Sequence, residues 1–297
     1  MEEKAFGPIR FLPGKNRGKY PEAHSLLVED AGVLIDPASD RDRLAELADS
    51  GAVNMVWLSH WHEDHMTHLD LFEDRELWIH ENDALPLSDI EIFLDWYGMD
   101  QPGDDELREM WKPELFGHFH YRPRKPDRPL QGGEVIPMGD TTAEVLHTPG
   151  HTPGHLSIFF REQGVLFLGD YDLTKFGPWY GDPGSSITKT VESVNRLREI
   201  PANVWISCHG DGVFEEDPGP LWDEYLAVID QREQKLLDYL SEPRTLDDVI
   251  GQWIVYRKAR EPLSFFRFTE RAMIGKHLEK LLDEKTIVLE DGFYRRP

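Results

Sequence analysis

Three histidines and an aspartate lie within six residues in the segment Ser59–His65, which reads SHWHEDH. The apolar run AVNMVWL immediately before it predicts a buried strand that ends at this loop. Imidazole and carboxylate groups suit zinc, and a tight loop can turn alternate side chains into one cavity. The spacing therefore predicts a metal cluster in which His60 and His62 face one ion while Asp64 and His65 face another.

Three further candidate ligands fall at the ends of strand-like segments: His151 in HTPGHTPGH, Asp170 in VLFLGD and His209 in VWISCHG. A single histidine is more often structural than metal-bound, but the joint placement of these residues favours a metal site. The two oxygens of Asp170 can bind both ions and reduce the repulsion between them. The pattern indicates two-metal hydrolysis.

Short apolar segments and helices predict the scaffold that carries these ligands. SLLVED and GVLIDP, on either side of Gly32, indicate a β-hairpin, and the amphipathic helix that follows stops at Gly51. A later helix carries its apolar residues at Ile187, Val191, Val194 and Leu197. The remaining strand-like segments are ELWIH, GEVIPMG, TAEVLHTPG, HLSIFFRE, GVLFLGD and NVWISCHG. Functional residues should therefore gather at strand ends.

Residues 84–132 differ from their surroundings, with acidic and aromatic helical pieces followed by the Pro/Arg-rich stretch RPRKPDRP. We interpret this segment as a helical insertion. It is either a solvated surface excursion or a lid that brings aromatic side chains to the pocket. The aromatic candidates are Trp96, Tyr97, Trp111, Phe116 and Phe119.

Residues 220–297 are organised differently from the preceding part, as three predicted helices and two short strands around Asp291 and Gly292. This order is typical of a winged helix. We therefore predict a catalytic domain over residues 1–219 and a small winged-helix-like domain over 220–297. From Arg257 onwards the chain carries 10 Lys/Arg and 7 Asp/Glu, so its tail is basic although the whole chain has a net charge of -24.

The motifs SHWHEDH, HTPGHTPGH, LFLGD and SCHG resemble, in order and approximate spacing, those of the metallo-β-lactamase superfamily, over about residues 20–215. The resemblance implies an α+β fold, a four-layer αββα sandwich, with two metals at the edge where the sheets meet. It also implies the ligand sets. The first ion would be held by His60, His62 and His151, the second by Asp64, His65 and His209, with Asp170 between them.

The mechanism that this resemblance implies is attack by a metal-bridging hydroxide, which Asp64 would orient as the catalytic residue. The cofactors would be two Zn²⁺, with Mn²⁺ or Fe²⁺ as substitutes. The HTPGH repeat resembles the glyoxalase-II-like branch, which favours a small-molecule ester, thioester or lactone as substrate. Cys208 adjoins a ligand on a predicted strand, so we expect its side chain to face away from the site and not to act as nucleophile.

Two other functions stay open. The C-terminal segment resembles the small domain of lactamase-like proteins that include endoribonucleases, so cleavage of single-stranded RNA is one alternative. The other is a mononuclear iron enzyme like the persulfide dioxygenases, because His60, His151 and Asp170 alone could form a two-histidine, one-carboxylate face. The loop after Asp170, YDLTKFGPWYGDPG, could form a pocket wall, and Lys175 is a candidate for binding a substrate carboxylate.

Composition limits the partners and the compartment. A net charge of -24 repels polyanions on average, which argues against nucleic acid and anionic membranes as partners and leaves a small-molecule substrate and a possible homodimer. One cysteine, Cys208, cannot form an internal disulfide. The sequence starts without a signal-like segment and has no apolar run of about 20 residues. We therefore expect a cytoplasmic protein.

Overall fold

The structure, a computed structural model, describes residues 1–101 and 103–297. Its first sheet has seven strands in chain order, antiparallel from the first to the fourth and parallel from the fourth to the seventh. These strands are β1 Lys4–Phe6, β2 Ile9–Leu12, β3 Ser25–Val28, β4 Val33–Ile35, β5 Met55–Trp57, β6 Glu76–Ile79 and β7 Arg128–Pro129. The predicted hairpin around Gly32 is β3 and β4. The sequence analysis did not predict β1 and β2.

The second sheet has six strands in the order β13-β12-β11-β10-β9-β8. They are β8 Val135–Met138, β9 Thr141–His147, β10 Leu156–Phe160, β11 Val165–Gly169, β12 Val204–Ser207 and β13 Val213–Phe214. Only the pair β11 and β12 is parallel. Those two strands therefore end at the same edge of the sheet.

The two sheets pack face to face, because alternate residues of a strand point to opposite sides. In β11, Val165 and Phe167 lie in a core shared with Ile9 and Leu26 of the first sheet. The intervening residue Leu166 lies in a separate core on the outer face of the second sheet. Strands covered on both faces read as continuous apolar runs, which explains the segment VLFLG.

Helices cover both outer faces. On the first sheet, α1 Arg41–Ser50 packs through Leu44 and Leu47, and it ends at Gly51, whose φ of 71° lies in the left-handed region. On the second sheet, α4 Ile187–Arg198 packs through Val194 and Leu197. The order helix, sheet, sheet, helix confirms the predicted four-layer sandwich.

The predicted insertion contains two helices, α2 Ile90–Trp96 and α3 Asp105–Gly117, both packed in the core on the outer face of the first sheet. Asp89 begins α2, since its side chain accepts hydrogen bonds from the backbone N–H groups of Glu91 and Ile92. The last two residues of the Pro/Arg-rich stretch, Arg128 and Pro129, belong to the first sheet and not to a loop. They form β7, which pairs in parallel with β6.

The C-terminal segment contains α5 Pro220–Tyr239, α6 Leu246–Ile250, α7 Leu263–Asp283 and the hairpin β14 Val288–Glu290 with β15 Phe293–Arg295. The order of elements is the predicted one, while the winged-helix assignment and the division at residue 219 stay predictions. Its apolar core also includes Tyr180 and Ile187 from the preceding part of the chain. Among the described residues, no helix is both long and apolar enough to cross a membrane.

Candidate metal centre

All seven candidate ligands lie at one edge of the sandwich, in loops that adjoin strands. The SHWHEDH loop follows β5, His151 lies between β9 and β10, Asp170 follows β11, and His209 follows β12. Because β11 and β12 run in parallel, Asp170 and His209 emerge at the same edge of their sheet. The structure thus brings together residues that are up to 149 positions apart in sequence.

Three nitrogen atoms form the first cluster. His60 Nε2 lies 3.1 Å from His62 Nδ1. His151 Nε2 lies 3.1 Å from His60 Nε2 and 3.0 Å from His62 Nδ1. A tetrahedral zinc ion with bonds of about 2.0–2.1 Å needs ligand nitrogens about 3.3 Å apart. The triangle therefore has nearly the dimensions of one face of a zinc site.

The carboxylate of Asp170 lies between this triangle and a second cluster. Its Oδ2 is 3.2 Å from His151 Nε2, and its Oδ1 is 2.9 Å from His65 Nε2 and 3.2 Å from His209 Nε2. Asp64 Oδ2 completes the second cluster, 3.4 Å from His209 Nε2. Each oxygen of Asp170 faces a different set of ligand atoms, as a bridging carboxylate requires.

Two buried atoms of the second cluster support a cation at this position. His65 Nε2 and Asp170 Oδ1 are close, yet neither atom has a hydrogen-bond partner of acceptable geometry among the described residues. Leaving a buried polar atom unpaired costs about 1–3 kcal/mol. The atoms of each cluster lie within 4.8 Å of one another, so the residues present fit divalent cations.

The second nitrogen of each histidine ring is held by an outer partner, which orients the first nitrogen towards the centre. The distances are 2.9 Å from His60 Nδ1 to Ser59 Oγ, 2.8 Å from His62 Nε2 to Asp182 Oδ2, 3.0 Å from His65 Nδ1 to Asp36 Oδ2, 3.1 Å from His151 Nδ1 to Trp179 O, and 2.6 Å from His209 Nδ1 to Gly18 O. Such partners are typical of metal-binding histidines, and all five rings have one.

Electrostatics differ between the rings. Burial lowers the pKa of His60 well below its usual range, and the charge of His65 reinforces this. Burial also lowers the pKa of His62, but the carboxylate of Asp182 outweighs it and raises that pKa to about 9. For Asp170, burial is outweighed by the charges of neighbouring histidines, which hold its pKa well below the usual range. Cations must therefore compete with protons for this site.

The side chain of Cys208 does not face away from the site, as the sequence analysis expected. Its Sγ donates to Asp36 Oδ2 at 3.4 Å, and Asp36 is the outer partner of His65. Burial raises the pKa of the Cys208 thiol well above its usual range. Burial therefore keeps the thiol neutral beside Asp36, behind His65, and the expectation that Cys208 is not a nucleophile stays a prediction.

Asp83 anchors the loop that carries His151 through two hydrogen bonds. Asp83 Oδ2 accepts from Thr152 Oγ1 and its Oδ1 accepts from Gly154 N, both at 2.5 Å. His155, the last histidine of this loop, is fully buried and accepts a hydrogen bond from the backbone N–H of Asp170 at 3.1 Å. It therefore connects the loop that carries His151 to the loop that begins at Asp170.

The insertion contributes one aromatic ring to the metal centre. Tyr97 stacks on His62 with the ring centroids 5.7 Å apart and the planes 9° from parallel, and its hydroxyl contacts Glu63. Tyr20 also donates to Glu63, at 2.9 Å, and its ring lies 6.5 Å from that of Phe119. Two tyrosine hydroxyls, from Tyr20 and Tyr97, therefore meet at Glu63 beside the metal centre.

The other predicted aromatic candidates pack elsewhere. Trp111 stacks on Phe265 of α7 at 5.0 Å, and Trp96 lies against Trp61 at 6.0 Å. Phe116 is exposed and lies against Tyr121. The insertion thus lies beside the metal centre but presents to it fewer aromatic residues than we expected.

The sequence analysis missed Asp36 and Asp182. Asp36 ends the apolar strand in GVLID just as Asp170 ends the strand in VLFLGD, so the same pattern could have indicated it. Asp182 lies in the turn GDPG, 120 residues from its partner His62, and no local signal distinguishes it from an ordinary turn aspartate.

The family model described as the metallo-beta-lactamase superfamily matches residues 22–209. An acyl-coenzyme A thioesterase of Gallus gallus is 34% identical over 59% of this chain and 63% of its own length. A hydroxyacylglutathione hydrolase of Rhodospirillum rubrum is 32% identical over 36% of this chain and 41% of its own length. The matched segments thus span less than two thirds of either relative.

Two solved structures resemble this one along almost the whole chain. A metallo-beta-lactamase family protein from Thermus thermophilus has a TM-score of 0.71 at 25% identity, over 98% of this chain and 99% of that chain. A beta-lactamase domain protein from Burkholderia ambifaria has a TM-score of 0.69 at 16% identity, over 100% of this chain and 94% of that chain, which shows the fold alone. With more than half of its length matched by the family model, the chain belongs to the metallo-beta-lactamase superfamily.

Proposed function

We propose that this protein hydrolyses a small-molecule thioester at a dinuclear metal centre, with zinc as the metal and Mn²⁺ or Fe²⁺ as substitutes. The observation that carries the proposal is the position of Asp170, whose Oδ2 faces His151 while its Oδ1 faces His65 and His209. A mononuclear enzyme would leave the buried second cluster without a role. The proposed ligands are His60, His62 and His151 for one ion, Asp64, His65 and His209 for the other, and Asp170 for both.

Bound divalent cations supply Lewis-acid polarisation of the scissile carbonyl and a lowered pKa for water. The catalytic residue that we propose is Asp64, which is 4% exposed and lies at the second cluster. Its carboxylate accepts a hydrogen bond from the attacking water and orients the water oxygen towards the carbonyl carbon. Hydrolysis breaks the C–S bond: the water oxygen becomes part of the new carboxylate, one water proton goes to the sulfur of the leaving thiol, and the other proton is released to the solvent.

The names of two relatives support a thioester as the substrate. One is called an acyl-coenzyme A thioesterase and the other a hydroxyacylglutathione hydrolase. Both names denote cleavage of an acyl group from a thiol carrier. The rings of Tyr97, which stacks on His62, and of the exposed Tyr20 lie beside the centre and suit contact with an apolar acyl group.

The test combines metal analysis with parallel assays on the same preparation. We expect about two divalent ions per chain and hydrolysis of acyl thioesters under anaerobic conditions, with far lower rates on lactones and single-stranded RNA. One tightly bound iron per chain, with activity that requires oxygen, would overturn the proposal in favour of a mononuclear dioxygenase. RNA cleavage faster than thioester cleavage would favour the nuclease.

A further inference from the structure

A cavity of about 240 Å³ lies between the loop that follows Asp170 and the C-terminal helices. Its aromatic lining comes from Phe176 and Tyr256, and its charged lining is basic. The basic side chains are Lys175, Arg232, Lys235, Arg257 and Arg260. This is unexpected in a chain with 56 acidic and 32 basic residues.

None of these five cations forms an ion pair within 4.0 Å of a carboxylate in residues 1–101 and 103–297. Elsewhere on the surface, basic residues are commonly paired, as Lys280 is with Glu233 and Arg198 with Asp223. Unpaired cations around one concavity repel each other and concentrate the field in it. An anionic ligand would relieve that repulsion.

Arg232 forms the floor of this cavity and is 3% exposed. It donates to the backbone oxygens of Pro178 at 3.1 Å and Phe176 at 2.6 Å, so its position is fixed before any ligand binds. The buried carboxylate of Glu270 offsets part of its charge, but the oxygens of Glu270 accept from the backbone N–H groups of Val255 and Tyr256. The four cations at the rim form no ion pair among the described residues, and Arg260 lies over the rings of Tyr256 and Phe266.

A second cavity, of about 410 Å³, adjoins the first and shares Lys235, Ile254 and Arg257 with it. Its lining includes the rings of Trp253 and Tyr239. Aromatic rings of this kind stack on purines. The two cavities together offer cations for phosphates and flat rings for a base.

The basic cavity adjoins the loop that serves the metal centre. Arg232 holds Pro178 O, and the next residue, Trp179, accepts with its own carbonyl from His151 Nδ1. Phe176 is six residues after Asp170, so their Cα atoms lie within about 22 Å of each other. A flexible arm of about that length would be long enough to span the distance between the cavity and the candidate metal centre.

From this arrangement we infer that Lys175, Arg232, Lys235, Arg257 and Arg260 bind the phosphates of a nucleotide-bearing thiol carrier, the chemistry of coenzyme A, while its acyl thioester lies at the metal centre. This inference rests on the proposed thioesterase function. Five cations match a carrier with several phosphates better than glutathione, which has one net negative charge and no purine.

The first experiment compares two substrates with the same acyl group, one attached to coenzyme A and one to N-acetylcysteamine, which lacks the nucleotide. In the metal-loaded protein, Lys175→Glu and Lys235→Glu are expected to raise KM for the coenzyme A thioester about tenfold or more and to leave kcat nearly unchanged. KM for the truncated thioester should not change. Both side chains are exposed, so these charge reversals should not disturb the fold.

The matched control is Lys258→Glu, the same charge change in the same loop at an exposed residue that does not line the cavity. It should leave both KM values unchanged. An equal rise of KM for both substrates in the cavity variants, or an equal effect of Lys258→Glu, would overturn the inference, because the mean charge of the surface would then explain the result.

A binding measurement separates this inference from the proposed function. Isothermal titration of the metal-loaded protein with coenzyme A, dephospho-coenzyme A, pantetheine, glutathione and a single-stranded RNA oligonucleotide requires no turnover. We expect the affinity to fall in the order coenzyme A, dephospho-coenzyme A, pantetheine, and to weaken with added salt. Coenzyme A binding that Lys235→Glu abolishes, in a protein without thioesterase activity, would uphold the cavity and reject the proposed function. Tighter binding of glutathione or RNA than of coenzyme A would reject the inference.

Discussion

At the scale of single residues, the proposed site depends on which atom each side chain presents. His62 presents Nδ1 to the first cluster and gives its Nε2 to Asp182, whereas His60 and His151 present Nε2. An imidazole can serve one ion with only one nitrogen, so the partner of the other nitrogen decides the geometry. The outer carboxylates are therefore expected to matter for metal binding nearly as much as the ligands do.

Asp64→Asn should separate catalysis from folding. The change keeps the size of the side chain but removes its negative charge, so the attacking water loses part of its orientation, and we expect turnover to fall roughly 100-fold or more. Circular dichroism should stay unchanged because Asp64 lies outside the apolar cores. Cys208→Ser is the control: its hydroxyl can still donate to Asp36, and most activity should remain. Near-normal turnover in Asp64→Asn, or an inactive Cys208→Ser with both metals bound, would contradict the assignment.

Asp182→Ala should weaken metal binding without removing a ligand. His62 Nε2 loses its partner at 2.8 Å, so its ring is no longer held, and we expect zinc affinity to fall about 10- to 100-fold. Competition with a chromophoric chelator measures this affinity directly. Asp49→Ala, at an exposed position near the end of α1, is the control. Equal zinc affinity in the two variants would show that Asp182 has no part in the site.

At the scale of elements, the insertion and the C-terminal helices support each other as well as the site. Arg271 of α7 pairs with Asp104, which precedes α3, at 2.7 Å, and Trp111 stacks on Phe265. Tyr225 of α5 donates to the backbone oxygen of Asp170 at 3.1 Å. Changes in these helices can therefore affect either stability or the cleft, depending on which contact they remove.

Tyr97→Ala and Trp111→Ala should have different effects. Tyr97 stacks on His62, so its loss is expected to lower kcat/KM for acyl thioesters about two- to tenfold. Trp111 packs on Phe265, so its loss should lower the melting temperature and leave kcat/KM close to normal. Steady-state kinetics and thermal unfolding of both variants test this. If neither variant changed kcat/KM, the insertion would be a packing element only.

Glu233 links α5 to α7, and its contribution to the free energy of unfolding should depend on pH. Hydrogen bonding to His277, assisted by Lys280 at 2.9 Å, lowers the pKa of Glu233 to about 2 against the opposing effect of burial. A carboxyl with a depressed folded-state pKa stabilises the fold above its unfolded pKa and loses that contribution as the pH falls towards the folded value. Glu233→Gln should therefore cost on the order of 1–3 kcal/mol at pH 7 and progressively less below about pH 4.

The measurement for Glu233→Gln is urea unfolding at pH 7, 5 and 3. Glu279→Gln on α7 is the control, because Glu279 is 68% exposed and surface pairs of this kind contribute little. If Glu233→Gln lowered the free energy of unfolding by the same amount at all three pH values, packing and not the charge of Glu233 would be responsible.

At the scale of the whole molecule, charge is distributed unevenly. The chain has a net charge of -24, yet the cavity between α5 and the segment 254–260 is lined by cations that form no ion pair in the part of the chain that the structure describes. The mean field repels polyanions, while a small anion responds to the local field of the cavity. The candidate metal centre, by contrast, brings two carboxylates together with five histidines, so we expect the two sites to attract ligands of opposite sign.

Removing the metals should lower the stability of the whole molecule and leave the fold in place. Cations that bind only the folded state stabilise it, so chelation is expected to lower the melting temperature by about 5 °C or more. Secondary structure should persist, because the clusters lie at the sheet edge and not in the cores between the layers. His60→Ala, with one site impaired, should respond less to the chelator. A melting temperature that chelation does not change would contradict a pair of tightly held ions.

Local pattern was enough to select the seven candidate ligands, while the four-layer sandwich was implied by the resemblance of four motifs to the metallo-β-lactamase superfamily. Apolar strands that are covered on both faces end abruptly, and the polar residue at each end must lie at the sheet edge, so His60, Asp170 and His209 could be recognised one segment at a time. What the sequence alone determined is thus the set of residues that strand ends deliver to one place.

Only the tertiary structure decided the residues that act across long separations. Asp182 reaches His62 over 120 positions, Cys208 supports Asp36 instead of facing away, and Trp111 packs on a C-terminal helix. The basic cavity depends on residues from three separate segments, and only the fold brings the basic segment 257–260 next to Lys175 and Arg232. Such contacts depend on how the loops and helices dock, and the periodicity of a segment carries no information about its partner.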